Sequence, residues 1–285
     1  MIDAIDIDHY CYFSFVIAQT TAQTPLHKHF TMKTPFRIRP SIILFGDSIT
    51  EQAFGWRGDD FPPVDFGWAS LLAADYARRA DVLNRGFSGY TSRHAVDMLP
   101  RVFTGPLPSC LFCTVFFGAN DAALPGELQH VPVNEYGQNL VTIVQQIRET
   151  LDSNDFPILL ITPPPFHAEA WMALKQFDSP GRDNDVAKRY GNKVKEVAAD
   201  LENCAVVDAW TLLEGSLENR MAYLSDGLHL NEAGNRVLHQ GIMQVLRKDF
   251  PHVLPIQEEE KKQGKKGLFV EEPLWRDLFA KEEKN

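Results

Sequence analysis

From residue 41 onward, short and wholly apolar runs alternate with longer stretches of helical spacing. Five runs predict strands: residues 41–45 (SIILF), a short one starting at Val82 and stopping at Gly86, 111–117 (LFCTVFF), 157–162 (PILLIT) and 205–208 (AVVD). Between them, residues 68–79, 134–151, 185–201 and 233–250 predict helices. The second of these carries Leu140, Ile143, Val144, Ile147 and Leu151 on one stripe. Strands that are apolar throughout, instead of alternating, indicate a parallel sheet covered on both faces. The pattern therefore predicts an α/β protein: a three-layer α/β/α sandwich around a five-stranded parallel sheet. In such sheets ligands bind at the carboxyl ends of the strands. The loops after Phe45, Leu83, Phe117, Ile161 and Val207 are expected to face the site.

The two ends read differently. Residues 10–18 (YCYFSFVIA) form an apolar run, but Asp3, Asp6 and Asp8 precede it, where a secretory signal carries positive charge. Residues 1–36 are expected to be a disordered extension without chemistry, with Met32 as an alternative start. Cytoplasm is the default compartment, and the apolar run leaves secretion open. Residues 37–256 are expected to form the main domain. Residues 257–266 (QEEEKKQGKK) read as a solvated linker, and 268–280 (LFVEEPLWRDLFA) as a segment docking on the domain.

Composition narrows the function classes. A chain of 285 residues has room for one large domain or two small ones. Its 44% hydrophobic and 23% charged residues rule out wholesale disorder. A formal net charge of −10 makes nucleic acid or an anionic membrane surface a poor partner, since both need cationic patches. Four cysteines exclude a disulfide framework. No apolar run reaches the roughly 20 residues that span a bilayer, so no integral membrane segment is expected.

Four clusters carry candidate chemistry. Gly46, Asp47, Ser48, Ile49 and Thr50 follow the first strand. A serine there can sit on a tight strand-to-helix turn with its hydroxyl in the site; it can equally cap the helix. Asp226 and His229 stand three residues apart before the last helix. One turn can then place a carboxylate beside an imidazole, fixing its tautomer and leaving the other nitrogen as a base. The alternative is that Asp226 or Asn231 caps the helix. Gly118, Ala119, Asn120 and Asp121 follow the third strand, where an asparagine amide can donate to a carbonyl oxygen as it becomes negative. Residues 84–90 (NRGFSGY) follow the second strand, and glycine there lets backbone N–H groups approach a ligand. Each of the last two is otherwise an ordinary turn. Together, Ser48, Asp226 and His229 supply nucleophile, orienter and base.

Other residues are set aside. Cys110 and Cys113 form C-x-x-C without a second ligand pair, so core packing is expected. Asp47 and Asp121 read as supporting hydrogen-bonding residues. Phe54, Trp56, Phe61 and Phe66 either wall an acyl pocket or pack within their own loop; Trp171 and residues 163–166 are candidates for a second rim.

With these residues in view, the sequence resembles the SGNH-hydrolase superfamily, the GDSL-type esterases and lipases. GDSIT, NRGFSGYTSR, FFGANDA and SDGLHLNEAG are similar to that superfamily's first, second, third and fifth blocks. LFGDSITEQAF, ITPPP and a late PLWRD resemble its isoamyl acetate-hydrolysing esterases. The resemblance covers residues 41–250; residues 1–36 and 177–183 find no counterpart. It implies a flavodoxin-like three-layer fold, with Ser48 as nucleophile, His229 as general base and Asp226 as orienter. The implied oxyanion hole is the Ser48 N–H, the Gly89 N–H and the Asn120 side chain. Gly89 is preferred to Gly86 because Ser88 to Thr91 match the second block. The implied substrate is a small-molecule ester with a small to medium, acetate-type acyl group, hydrolysed through an acyl-enzyme without metal or organic cofactor. The contrasting reading is a catalytically idle domain that binds a protein partner through the Trp275 segment. Oligomeric state is not written in these motifs.

Overall fold

In a computed structural model of the chain, the described residues are 38–59, 62–103, 109–176, 178–213 and 217–270. The expected extension at residues 1–36 lies outside them, as does the Trp275 part of the expected docking segment. Five strands are present: β1 Ser41–Gly46, β2 Asp81–Gly86, β3 Cys110–Phe116, β4 Ile158–Ile161 and β5 Cys204–Val207. The α-helices in chain order are α1 Ser48–Glu51, α2 Trp68–Asp75, α3 Ser92–Val102, α4 Val133–Thr150, α5 Ala168–Lys175, α6 Asn184–Ala199, α7 Ala209–Leu213, α8 Leu217–Tyr223, α9 Glu232–Asp249 and α10 Glu258–Lys262. None among the described residues is long and apolar enough to cross a membrane.

The strands form one sheet in the order β2-β1-β3-β4-β5, and every pairing is parallel. The predicted three-layer α/β/α sandwich is what the chain builds. Successive residues of a strand point to opposite faces, and here both faces are apolar. Ile42, Leu44, Phe112, Phe116, Leu159 and Ile161 enter one core, with Trp68 and Leu72 of α2 and Leu238, Ile242 and Leu246 of α9. Ile43, Phe45, Cys113, Val115, Phe117, Ile158 and Leu160 enter the other, with Leu99 of α3, Leu140 and Ile143 of α4 and Val194 of α6. Burial of both faces is why the central runs carry no polar alternation. The stripe predicted on α4 is buried from Leu140 to Ile147.

Two differences from the expected elements have physical reasons. The stretch following β2 forms α3, which buries only Ser92, Ala95 and Leu99 and contains Pro100; so short an apolar face gives no visible stripe. Within the charged run, Glu258–Lys262 is helical with no buried residue, helped by a Lys262–Glu258 ion pair of 3.1 Å one turn apart. The chain then returns to the domain: Leu268 N–H donates to the Leu254 carbonyl at 2.7 Å, and Ile256 N–H to the Leu268 carbonyl at 3.0 Å.

The topology makes the crevice. The chain leaves β1 for β2 on one side and comes back to β3 on the other, so the loops after these three strands diverge at the carboxyl edge. This is the switch point where open α/β sheets bind ligands. At that edge Gly46 is in register with Gly86, and α1 crosses directly over the end of β2. A Cβ on Gly86 would stand 2.0 Å from the Glu51 nitrogen, a backbone atom that cannot swing aside. Gly86→Ala is therefore expected to lower stability by about 1–3 kcal/mol or more through overpacking. The check is the urea midpoint at constant m-value; an unmoved midpoint would mean that α1 yields freely at this contact.

Candidate active site

Ser48 owes its place to Asp47. The Asp47 side chain accepts from the Ile49 N–H at 3.0 Å and is the N-cap of α1. The serine is thereby released from the capping role that its position could have given it. Asn84 of β2 holds the other end of this short helix, donating to the Thr50 carbonyl at 2.7 Å and accepting from the Gly86 N–H at 2.8 Å. Glu51 in turn accepts from the Ser88 N–H at 2.7 Å, tying the loop after β2 to the same helix.

The hydroxyl of Ser48 lies 2.8 Å from Nε2 of His229, although 181 residues separate them in sequence. His229 Nδ1 lies 2.6 Å from Oδ2 of Asp226. The other Asp226 oxygen accepts from the N–H groups of Leu228 and His229 at 2.8 and 2.7 Å. All three side chains are at least 95% buried. A charged carboxylate can only accept, so Nδ1 carries a proton. In the neutral imidazole Nε2 is then the acceptor, and Ser48 donates to it. Asn231, not Asp226, caps α9, accepting from the Gly234 N–H at 3.0 Å. The two functions that the sequence left open at this turn fall to different residues.

Gly89 and Asn120 arrive from the loops after β2 and β3. Gly89 has φ +78. Asn120 is 4% exposed; its Nδ2 donates to the Tyr90 carbonyl at 2.9 Å, and its Oδ1 accepts from Arg182 at 3.1 Å. Ser48, Gly89, Asn120 and His229 all line one cavity of about 590 Å³, which also meets Leu128, Trp171 and Arg182. Asp226 is behind His229 and does not reach it. Of the aromatic residues weighed as a wall, Trp171 lines the cavity, with its ring centroid 6.2 Å from that of His229. Phe54, Trp56 and Phe66 do not line it: Trp56 pairs with Val64 in a bridge within its own loop, and Phe66 lies under Arg236. Phe61 is outside the described residues.

Comparisons with known proteins bear on this arrangement. The family described as GDSL-like Lipase/Acylhydrolase matches residues 44–237. The chain belongs to this family. It is 41% identical over 226 residues to the isoamyl acetate-hydrolyzing esterase 1 homolog of Mus musculus, covering 76% of this chain and 86% of that one. The Homo sapiens homolog is 38% identical over 245 residues, covering 84% and 88%. Among solved structures, a lipase/acylhydrolase from Enterococcus faecalis is similar with a TM-score of 0.54 at 24% identity, covering 73% of this chain and 96% of that chain. An acetylxylan esterase from Geobacillus stearothermophilus is similar with a TM-score of 0.52 at 22% identity, covering 73% and 94%. These two likenesses concern the fold. Membership of the GDSL esterase family makes the chain a carboxylic ester hydrolase.

The electrostatics of this candidate site are set by burial. Burial works against the charge on Asp226, but the hydrogen bonds from the His229 ring and from two backbone N–H groups outweigh it and hold its pKa below the ordinary value. Asp47 and Asp121 have the opposite balance. Burial pushes Asp47 up to about 7, against the Ile49 N–H bond and with the Asp121 charge adding. Its Oδ2 makes no hydrogen bond. Burial pushes Asp121 up to about 6, although Ser92 donates to it from both hydroxyl and backbone. Both are supporting residues, as expected: one caps α1 and the other anchors the start of α3. The thiols of Cys110 and Cys204 are likewise pushed up by burial, to about 12 and about 11. With Cys113 buried in the core, these three are free cysteines.

A raised carboxyl pKa has a definite sign for stability. Between about pH 4 and 7 the folded protein holds a proton on Asp47 that the unfolded chain has released. Stability contributed by that proton is lost as pH rises through this window. Asp47→Asn keeps the capping oxygen and removes the ionisation. Its stability is expected to fall less than that of the parent between pH 4 and 8, by up to about 4 kcal/mol. Urea titrations at a series of pH values check this; parallel curves for the two proteins would refute it.

Proposed function

We propose that this esterase cleaves small to medium, acetate-type carboxylic esters, with Ser48 as nucleophile, His229 as general base and Asp226 as its orienter. The Ser48 N–H, the Gly89 N–H and the Asn120 side chain form the oxyanion hole. The reading is carried by the unbroken chain from Asp226 Oδ2 through the imidazole to Ser48 Oγ, with links of 2.6 and 2.8 Å, at the wall of a 590 Å³ cavity. The names of the mouse and human relatives, which refer to isoamyl acetate, support a short acyl group.

The chemistry follows from proton positions. Nε2 of His229 takes the hydroxyl proton as Ser48 Oγ attacks the ester carbonyl carbon. The carbonyl oxygen becomes negative and meets the three donors. The imidazolium formed is stabilised by Asp226, whose carboxylate stays charged. It then gives its proton to the departing alkoxide, leaving the acyl group on Ser48. Water deprotonated by the same Nε2 attacks that acyl-enzyme, and the serine regains its proton as the acid leaves. A cavity of this volume is within the range that accepts a compact organic ligand. Trp171 and Leu128 supply apolar surface for its carbon chains.

Ser48→Ala is expected to reduce hydrolysis of p-nitrophenyl acetate by at least about 10³-fold while leaving the thermal transition in place. A fluorophosphonate probe should add its mass to the peptide that contains Ser48 and not label the alanine variant. Across a p-nitrophenyl series, kcat/KM should be highest for the short acyl chains. Undiminished turnover by the folded Ser48→Ala protein would overturn the assignment.

A further inference from the structure

Arg182 comes from the residue stretch 177–183, for which the sequence offers no role. Its guanidinium nevertheless lies in the wall of the catalytic cavity. One nitrogen, Nη2, donates to Asn120 Oδ1 at 3.1 Å and to Gln129 Oε1 at 2.7 Å. The far end of Gln129 donates from Nε2 to the Gly89 carbonyl at 2.8 Å. The Arg182 backbone is fixed to the same region: residue 182 bridges Ala123, and the Leu124 N–H donates to the Gly181 carbonyl at 2.8 Å. A single cation thus touches the Asn120 amide directly and the Gly89 loop through one amide.

The geometry points to Arg182, acting with Gln129, as the positioning residue that orients the Asn120 and Gly89 donors of the oxyanion hole. This rests on the reading of the site given above. An asparagine amide can turn over end for end, and in one of its two orientations it would present a lone pair to the developing anion. Here a pure donor stands on Oδ1 and a pure acceptor, the Tyr90 carbonyl, on Nδ2. Turning the amide over would set N–H against a cation and oxygen against oxygen. One Nδ2 proton is held by Tyr90, so the second is left for the cavity. A cation on Oδ1 also polarises the amide, making the remaining N–H a stronger donor. Burial lowers the Arg182 pKa, and the charges of Asp47, Glu127 and Asp121 work to retain the proton. A lysine would carry the charge but not the planar fork.

Kinetics on p-nitrophenyl acetate test this. Arg182→Ala is expected to lower kcat about 10–100-fold, less than loss of a donor outright, with KM within about threefold. Arg182→Lys should recover part of the loss. The decisive arm is a double-mutant cycle: in an Asn120→Ala background, Arg182→Ala should cost less than about threefold, since the group through which it acts is gone. If Arg182→Ala does not fold, Arg182→Lys and Gln129→Ala carry the same cycle. Equal losses in both backgrounds, an unchanged kcat, or a rise in KM alone would overturn the inference. Any of these, alongside inactive Ser48→Ala, would leave the site reading standing. Retained turnover in Ser48→Ala and Asn120→Ala would instead remove that reading.

Discussion

At position 226 a carboxylate sits 2% exposed, and three N–H groups converge on it: those of Leu228, the His229 backbone and the His229 ring. A charge out of water is costly unless its lone pairs are satisfied. Meeting that demand fixes the turn that leads into α9, because two of the donors are backbone. The third fixes the plane and tautomer of the imidazole. Everything at the site edge follows from the direction in which Nε2 then points. Ser48 can meet it only because α1 begins where β1 stops, and α1 begins there because Asp47 caps it. The Asp226–His229–Ser48 chain is therefore the meeting of two local turns, each held by a buried aspartate, brought together by the order of strands.

Much of this was legible in the chain. The central strands were readable because burial on both faces leaves little room for polar residues, as the split of Ile42 and Ile43 between opposite cores shows. The long helices were readable because a single covered face leaves a stripe, as at Leu140, Ile143, Val144 and Ile147. What escaped are the elements whose stability comes from tertiary contact instead of pattern. α3 starts where Asp121 accepts from the Ser92 N–H, a bond across 29 residues. α1 is four residues long and is clasped by Asn84. Neither leaves a periodic trace.

The site divides in the same way. Ser48, Gly89, Asn120, Asp226 and His229 stood out because each sits in a short motif at a strand end or before a helix, where chain direction alone brings it to the carboxyl edge. Arg182 did not. Its stretch, DSPGRD at residues 178–183, reads as an ordinary turn, and its partners lie 62 and 53 residues away. The signal available was an isolated cation in a Gly/Pro turn of an acidic chain, which chooses no partner by itself. The aromatic cluster after Ser48 left two readings open, a wall or packing within its own loop, and Trp56 takes the second, while Trp171, far along the chain and a candidate for the other rim, faces the imidazole.

Arg182 also bears on a conflict that the fold creates. Two aspartates, 47 and 121, are buried beside the loops that present the proposed oxyanion donors, close enough that the charge of Asp121 raises the cost of ionising Asp47. Fully charged, they would oppose negative charge on the substrate oxygen. Burial pushes them up to about 7 and about 6, so near neutrality their combined charge is smaller than two. What charge remains is partly offset by the guanidinium that fixes the asparagine amide. The same cation thus bears on folding and on catalysis: it eases the charge on buried Asp47, and it makes the pocket less hostile to an anion. Preorganisation of this kind is present before substrate arrives, so no reorganisation is left for the moment of reaction.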